Sequence, residues 1–172
     1  EIIKAAEKIK ESQQPLIVAG GGVLYSEAEK ELSAFAKKHN IPVTPTVMGI
    51  GCMHKDDPYY IGAIGCLGEG SSNSLSKDTD MAIAIGTKLG DFTTGSWTNF
   101  QNPKFQLVSI NTARFDVTKH RAIPIISDAK IGLKELSDIL GDWKAPDSWY
   151  QRAVKERVKW DAYVQKNSGP TN

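Results

Sequence analysis

Residues that usually announce chemistry or compartment are scarce in this 172-residue chain. There are only two cysteines, Cys52 and Cys66, and neither has partners at zinc-ligand spacing. A disulfide framework and a zinc site are thereby excluded, and the pair reads as free thiols of a reducing, cytoplasmic compartment. An excess of one charge is lacking too: the formal net charge of +1 argues against nucleic acid or a membrane surface as a partner. No apolar run is long enough to cross a bilayer, and the N-terminus carries no signal-like pattern. Neither a nucleophile elbow, a His/Cys metal spacing nor a strongly placed carboxylate pair is present. No internal repeat or low-complexity segment occurs. The chain also starts without methionine, at Glu1-Ile2-Ile3 inside an amphipathic pattern, as an excised piece of a longer protein would.

What is present is the raw material of one globular domain, with 40% hydrophobic and 24% charged residues. The organising stretch is Pro15-Leu16-Ile17-Val18-Ala19-Gly20-Gly21-Gly22-Val23. A short apolar run without alternation suits a strand buried on both faces of a parallel sheet. The glycines let the backbone turn tightly and approach another group without a Cβ in the way. Ser26 and Glu29 fit a capping box that would start the following helix. Two readings of the glycines stand side by side. One is a purely structural turn; the other is a phosphate cradle of backbone N–H groups. The dinucleotide fingerprint Gly-x-Gly-x-x-Gly is met at Gly20 and Gly22 but not at Tyr25, the third position.

Along the chain, Ile2, Ile3, Ala5, Ala6 and Ile9 recur at helical spacing, and that helix ends before Pro15. A second helix is expected over residues 26–39, burying Ala28, Leu32, Phe35 and Ala36, with Asn40 as its C-cap. Residues 41–47 read as a strand whose two prolines make it short or near an edge. A glycine-punctuated stretch follows, and then a helix beginning near Ser71. The N-terminus of that helix would face residues 65–70 as an anion seat. Met81-Ala82-Ile83-Ala84-Ile85-Gly86, Phe105-Gln106-Leu107-Val108-Ser109-Ile110-Asn111 and residues 122–127 read as further strands. Asp128 caps a helix through Leu140, which Gly141 stops. A last helix, residues 149–166, carries Trp149, Ala153, Trp160 and Tyr163 among many charges. It is either a clasp on the domain or a docking arm for a neighbour. Residues 167–172 read as linker. Alternation of strands and helices gives an α/β, doubly wound, mostly parallel, Rossmann-like sheet with helices on both faces. Residues 1–145 form the domain, and 146–172 its C-terminal helix and linker.

Candidate sites lie beyond the C-terminal ends of the strands, where α/β folds place them. A weak nucleotide cleft would use Gly20, Gly21, Gly22, Gly86 and Asn111. The loop Asp91-Phe92-Thr93-Thr94-Gly95-Ser96-Trp97 is dense in hydroxyls. Asp91, Thr93, Thr94, Ser96 and Trp97 either contact a substrate or neighbouring domain, or satisfy their own backbone while Trp97 anchors the turn. Arg114, Lys119, His120 and Arg121 form a basic cluster, read as solvated surface rather than a phosphate site. No catalytic residue and no metal ligand is assigned, since a lone His120 is too little for acid–base work.

The succession of motifs resembles the central domain of thiamine-diphosphate-dependent enzymes, the group that includes acetohydroxyacid synthase, oxalyl-CoA decarboxylase and pyruvate decarboxylase. The resemblance rests on Pro15 to Gly22, on Gly65-Cys66-Leu67-Gly68 followed by Asn73, on Asp80 to Gly86 and on Pro124 to Leu133. Within the group the chain is most similar to the hydrolases that open trihydroxycyclohexane-1,2-dione to 5-deoxyglucuronate in inositol catabolism. That likeness is carried by Ile64-Gly65-Cys66-Leu67-Gly68-Glu69-Gly70-Ser71, the loop from Asp91 to Trp97, Phe115-Asp116 and Lys119-His120-Arg121-Ala122. It implies a parent with three α/β domains, in which the missing N- and C-terminal domains hold thiamine diphosphate and Mg²⁺ outside this chain. The parent would be a homo-oligomer, and this piece would be a scaffold that is inactive alone. The group's Gly-Asp-Gly and Asn-Asn signature is absent here. Flavin-binding relatives carry Ile-Asp-x-Asp-Pro where this chain has Ile110-Asn111-Thr112-Ala113-Arg114, which argues against bound FAD or ADP. The alternatives are the central domain of an acetolactate synthase-like enzyme and a self-standing ADP, NAD or FAD module.

Overall fold

The computed structural model describes residues 1–169. Residues 170–172, the end of the expected linker, lie outside the described residues. Five parallel strands form one sheet: β1 (Pro15–Ala19), β2 (Val43–Pro45), β3 (Met81–Ile85), β4 (Gln106–Asn111) and β5 (Ile123–Ile126). Their order is β2-β1-β3-β4-β5, so the chain reverses its direction of winding between β1 and β3. Every residue of β1 and of β3 is buried, as the unalternating apolar runs require.

Period-2 geometry sends successive side chains to opposite faces, and each face has its own core. Ile17, Ile83, Ile85, Val108 and Ile110 pack under three helices. These are α1 (Ile2–Glu11), α3 (Glu29–His39), which follows a five-residue helix α2 (Gly21–Tyr25), and α7 (Ala129–Leu140). Leu16, Val18, Ala82, Ala84 and Leu107 face the other way, beneath α4 (Gly70–Asp78) and α8 (Asp147–Asn167). Two single-turn helices, α5 (Asp91–Thr94) and α6 (Arg114–Val117), follow β3 and β4. In α1 the buried stripe is Ala5, Ala6 and Ile9, while Ile3 faces solvent rather than the core.

Two local expectations are corrected. Ser26 and Glu29 do not form a capping box: the chain is already helical from Gly21, breaks at Glu27 (φ 49°), and restarts from Ala28 without a side-chain cap. The Ser26 hydroxyl instead donates to Asp128 Oδ2 at 2.5 Å, a partner 102 residues away. The strand expected over residues 41–47 is short and at the sheet edge, as its prolines require: it spans Val43–Pro45 and pairs with β1 alone among the strands. Residues 47–49 turn as a 3₁₀ helix, with Thr46 Oγ1 accepting the Gly49 N–H at 3.2 Å. The anion seat expected at the start of α4 has a carboxylate of the chain itself beside it, which makes no cap bond to the helix. Glu69 Oε1 accepts the Ala63 N–H (3.1 Å), and its other oxygen pairs with Arg157 of α8 (3.3 Å).

Helix α8 is a clasp over its first half. Trp149 is buried and its Nε1–H donates to the carbonyl of Pro15 at 2.8 Å, fastening the helix to the start of β1. Three turns on, Trp160 lies over Gly70, where a Cβ would sit 2.7 Å from the ring. On the opposite face, Asp128 caps α7 by accepting the N–H of Lys130. Asn40 ends α3 in the left-handed conformation, as its C-cap role requires.

His39, at the end of α3, is fully buried. Its Nδ1–H donates to the Trp143 carbonyl (2.8 Å) and its Nε2 accepts from Ser137 Oγ (3.0 Å). Burial is the main cause of a pKa below the ordinary 6.5, with Lys38 adding to it. The unfolded chain therefore binds a proton more readily than the folded one. The stabilising contribution is full above about pH 6.5 and is lost as pH falls toward the lowered folded value. Urea midpoints should decline from pH 7.5 to pH 5.5, and His39→Gln should flatten that decline. An unchanged slope in the variant would contradict the assignment.

Candidate functional site

The reversal between β1 and β3 leaves a crevice at the C-terminal ends of these strands. A cleft of about 740 Å³ occupies it. Gly21, Gly22 and Tyr25 form one wall, Gly86 to Lys88 and Phe92-Thr93 another, and Asn111, Ser127 and Asp128 close the far side. Four of the five residues expected at a nucleotide cleft thus meet there; Gly20 lies behind them, packed on Gly86.

The physical need for these glycines is close backbone contact. A Cβ on Gly20 would come within 2.3 Å of the Gly86 carbonyl oxygen, and one on Gly22 within 2.6 Å of Gly86 Cα. The Gly20 and Gly22 N–H groups donate to the carbonyls of Ile85 (2.8 Å) and Gly86 (3.0 Å). Two of the three amides of the expected cradle are therefore committed to holding β1 against β3. Asn111 is committed as well. Its Nδ2 donates to the Thr87 carbonyl (3.3 Å) and its Oδ1 accepts the Ala113 N–H (2.9 Å).

Charge in the cleft does not favour an anion. Lys88 is the single cation in the lining, against Asp116 and Asp128. The hydrogen bond from Ser26, then the amides at the start of α7, hold the Asp128 carboxyl below its ordinary value, so it stays ionised. Asp116 pairs with Lys119 (2.6 Å), whose Nζ also lies 4.3 Å over the Phe115 ring. His120 packs tilted against Trp97 with centroids 4.5 Å apart, and Arg114 and Arg121 are exposed. The basic cluster is thus dispersed over aromatic rings and solvent. Among the described residues no group of three or more His, Cys, Asp or Glu side chains is arranged to hold a metal ion. With these donors, the cleft does not suit a diphosphate bridged by a metal.

The hydroxyl-rich loop is a helical turn, not open loop. Asp91–Thr94 is helical, and Gly95, Ser96 and Trp97 follow with positive φ. Thr93 lines the cleft and Asp91 is exposed. Thr94 is sealed from solvent, its hydroxyl accepting the Trp97 N–H at 3.3 Å. Trp97 packs on Phe100 and on the core beneath α4 and α8. Sequence reasoning missed the Ser26–Asp128 contact that joins α2 to the start of α7. No local pattern signals a pair so far apart in sequence.

Residues 2–136 match the family model described as "Thiamine pyrophosphate enzyme, central domain". Among curated relatives, the 3D-(3,5/4)-trihydroxycyclohexane-1,2-dione hydrolases of Clostridium botulinum and Clostridium perfringens are each 36% identical over 96% of this chain and 26% of their own length. The protein of that name from Clostridium tetani is 37% identical over 94% of this chain and 25% of its own length. The chain therefore spans about a quarter of the length of the relatives it matches.

Gly22→Ala places a methyl against backbone that has no rotamer with which to yield. It should lower stability by about 1–3 kcal/mol, the usual cost of overpacking. A Gly21→Ala control meets only the Met48 carbonyl at 3.0 Å and should cost less. Equal urea midpoints for the two variants would contradict this account of the turn.

Proposed function

Because the chain belongs to the family of thiamine pyrophosphate enzyme central domains, we propose that it is the scaffold domain of a thiamine-diphosphate-dependent hydrolase. The parent would cleave a C–C bond of trihydroxycyclohexane-1,2-dione to give 5-deoxyglucuronate in inositol catabolism. The carrying observation is 36% identity sustained over 96% of the chain to hydrolases of that name. A further support is that the cleft's donors suit neither a diphosphate nor its metal.

In this reading residues 1–145 are the domain body, and residues 146–172 lead toward the domain that binds thiamine diphosphate. The cofactor and its Mg²⁺ are held by the N- and C-terminal domains of a cytoplasmic, homo-oligomeric parent. Thiamine supplies carbanion stabilisation when bound. What this chain supplies is position. The sheet fixes the α5 turn, Asp91 and Thr93 meet the substrate or a neighbouring domain, and Thr94 and Trp97 hold the turn in shape. A self-standing nucleotide module fits less well, because the Gly20 and Gly22 amides and both ends of the Asn111 amide are already bonded.

Three results are expected. The full-length parent, given thiamine diphosphate and Mg²⁺, hydrolyses the dione, whereas this chain alone does not. Turnover by the chain alone, or none by the loaded parent, would overturn the proposal. The purified parent releases no flavin on denaturation; a stoichiometric yield would contradict the reading of Asn111. In the parent, Thr93→Ala lowers turnover at an unchanged melting temperature. Thr94→Ala instead loses about 1 kcal/mol of stability through its broken hydrogen bond. The reverse pattern would sink the division of roles within α5.

A further inference from the structure

Large apolar side chains crowd the edge of the sheet where the strands end. Tyr25 follows β1, Met48 and Ile50 follow β2, Leu67 precedes α4, Phe92 follows β3 and Phe115 follows β4. All six are between 59% and 88% exposed. Contacts join two pairs of these segments, and Tyr25, Met48 and Phe92 line one cleft, so the side chains rim that end of the sheet. The Met48 carbonyl lies against Gly21 of α2, and the Cys66 N–H donates to the Phe92 carbonyl at 2.9 Å, setting the Leu67 loop beside α5. Six large exposed apolar side chains around one end of the sheet mark an interaction surface rather than ordinary solvent-facing protein.

We propose that this rim is the seat of another domain of the same polypeptide, which covers it with an apolar surface. The inference rests on the reading of this chain as part of a longer enzyme. A small ligand is too small an occupant: Tyr25, Met48 and Phe92 line the cleft, but Ile50, Leu67 and Phe115 do not, and a filled cleft would leave them wet. Relatives whose matched segment is only 26% of their length carry three-quarters of their chain elsewhere. A covering surface tethered to the same chain acts at high effective concentration, which a second copy does not. The docking partner therefore lies within the parent, and the central domain is oriented by the end of the sheet that also opens the cleft.

Cys66 is a native reporter, exposed in this chain and located in the rim beside Leu67. In the folded full-length parent, maleimide labelling with peptide mapping should modify Cys66 roughly tenfold or more slowly than in the denatured parent, the protection expected of a packed interface. That protection should not change on dilution or on addition of ADP or FAD. Met48→Lys combined with Ile50→Lys, both at exposed positions, should restore labelling, while Val158→Lys on α8 should not. Labelling as fast as in the denatured parent would overturn the proposal. So would protection lost on dilution, which assigns the rim to a second copy, or protection seen only with added nucleotide, which assigns it to a ligand. Turnover measured on the same preparation separates the two claims. An inactive parent with a protected Cys66 overturns the proposed reaction alone, and an active parent with a freely labelled Cys66 overturns the docking alone.

Discussion

The contact between the β1–α2 turn and Gly86 is the constraint on which the rest of this structure depends. Two amide–carbonyl bonds and the absence of Cβ atoms bring the end of β1 against the end of β3. That approach sets the floor of the cleft and fixes where the sheet changes direction of winding. It also requires helix to begin at Gly21. The chain then needs the left-handed residue Glu27 before α3 can run back along the sheet. Tyr25 is left standing on the cleft wall as a consequence.

On either side of that pivot the fold is held by independent devices. One face is packed by α1, α3 and α7, with the buried His39 joining α3 to the segment after α7. The other face is covered by α4 and α8, with the Trp149 bond to Pro15 and the Arg157–Glu69 pair at successive levels of the clasp. Glu69 shows how local chemistry is used up by structure. A helix start that would suit an external anion has its own carboxylate nearby, already bonded to Ala63 and Arg157.

Much of this was legible in the sequence. The unalternating apolar runs of β1 and β3 signal buried parallel strands because side chains buried on both faces leave no polar alternation. Asp128 and Gly141 bounded α7 as their capping chemistry requires. What was not legible depended on distant partners. Ser26 has a good local use as a cap, yet a carboxylate 102 residues away takes its hydroxyl. Gly20 and Gly22 look alike as anion donors and as packing glycines, and only the position of Gly86 decides between them. Thr94 and Thr93 are adjacent and chemically the same, yet one is sealed inside its turn and the other lines the cleft.

In the proposed function this chain carries geometry for an enzyme while the cofactor is bound by other parts of the same polypeptide. Calorimetric titration of thiamine diphosphate with Mg²⁺ into this chain and into its full-length parent addresses that most directly. The account predicts saturable binding by the parent and no binding heat from the chain. Saturable binding by the chain alone would contradict it.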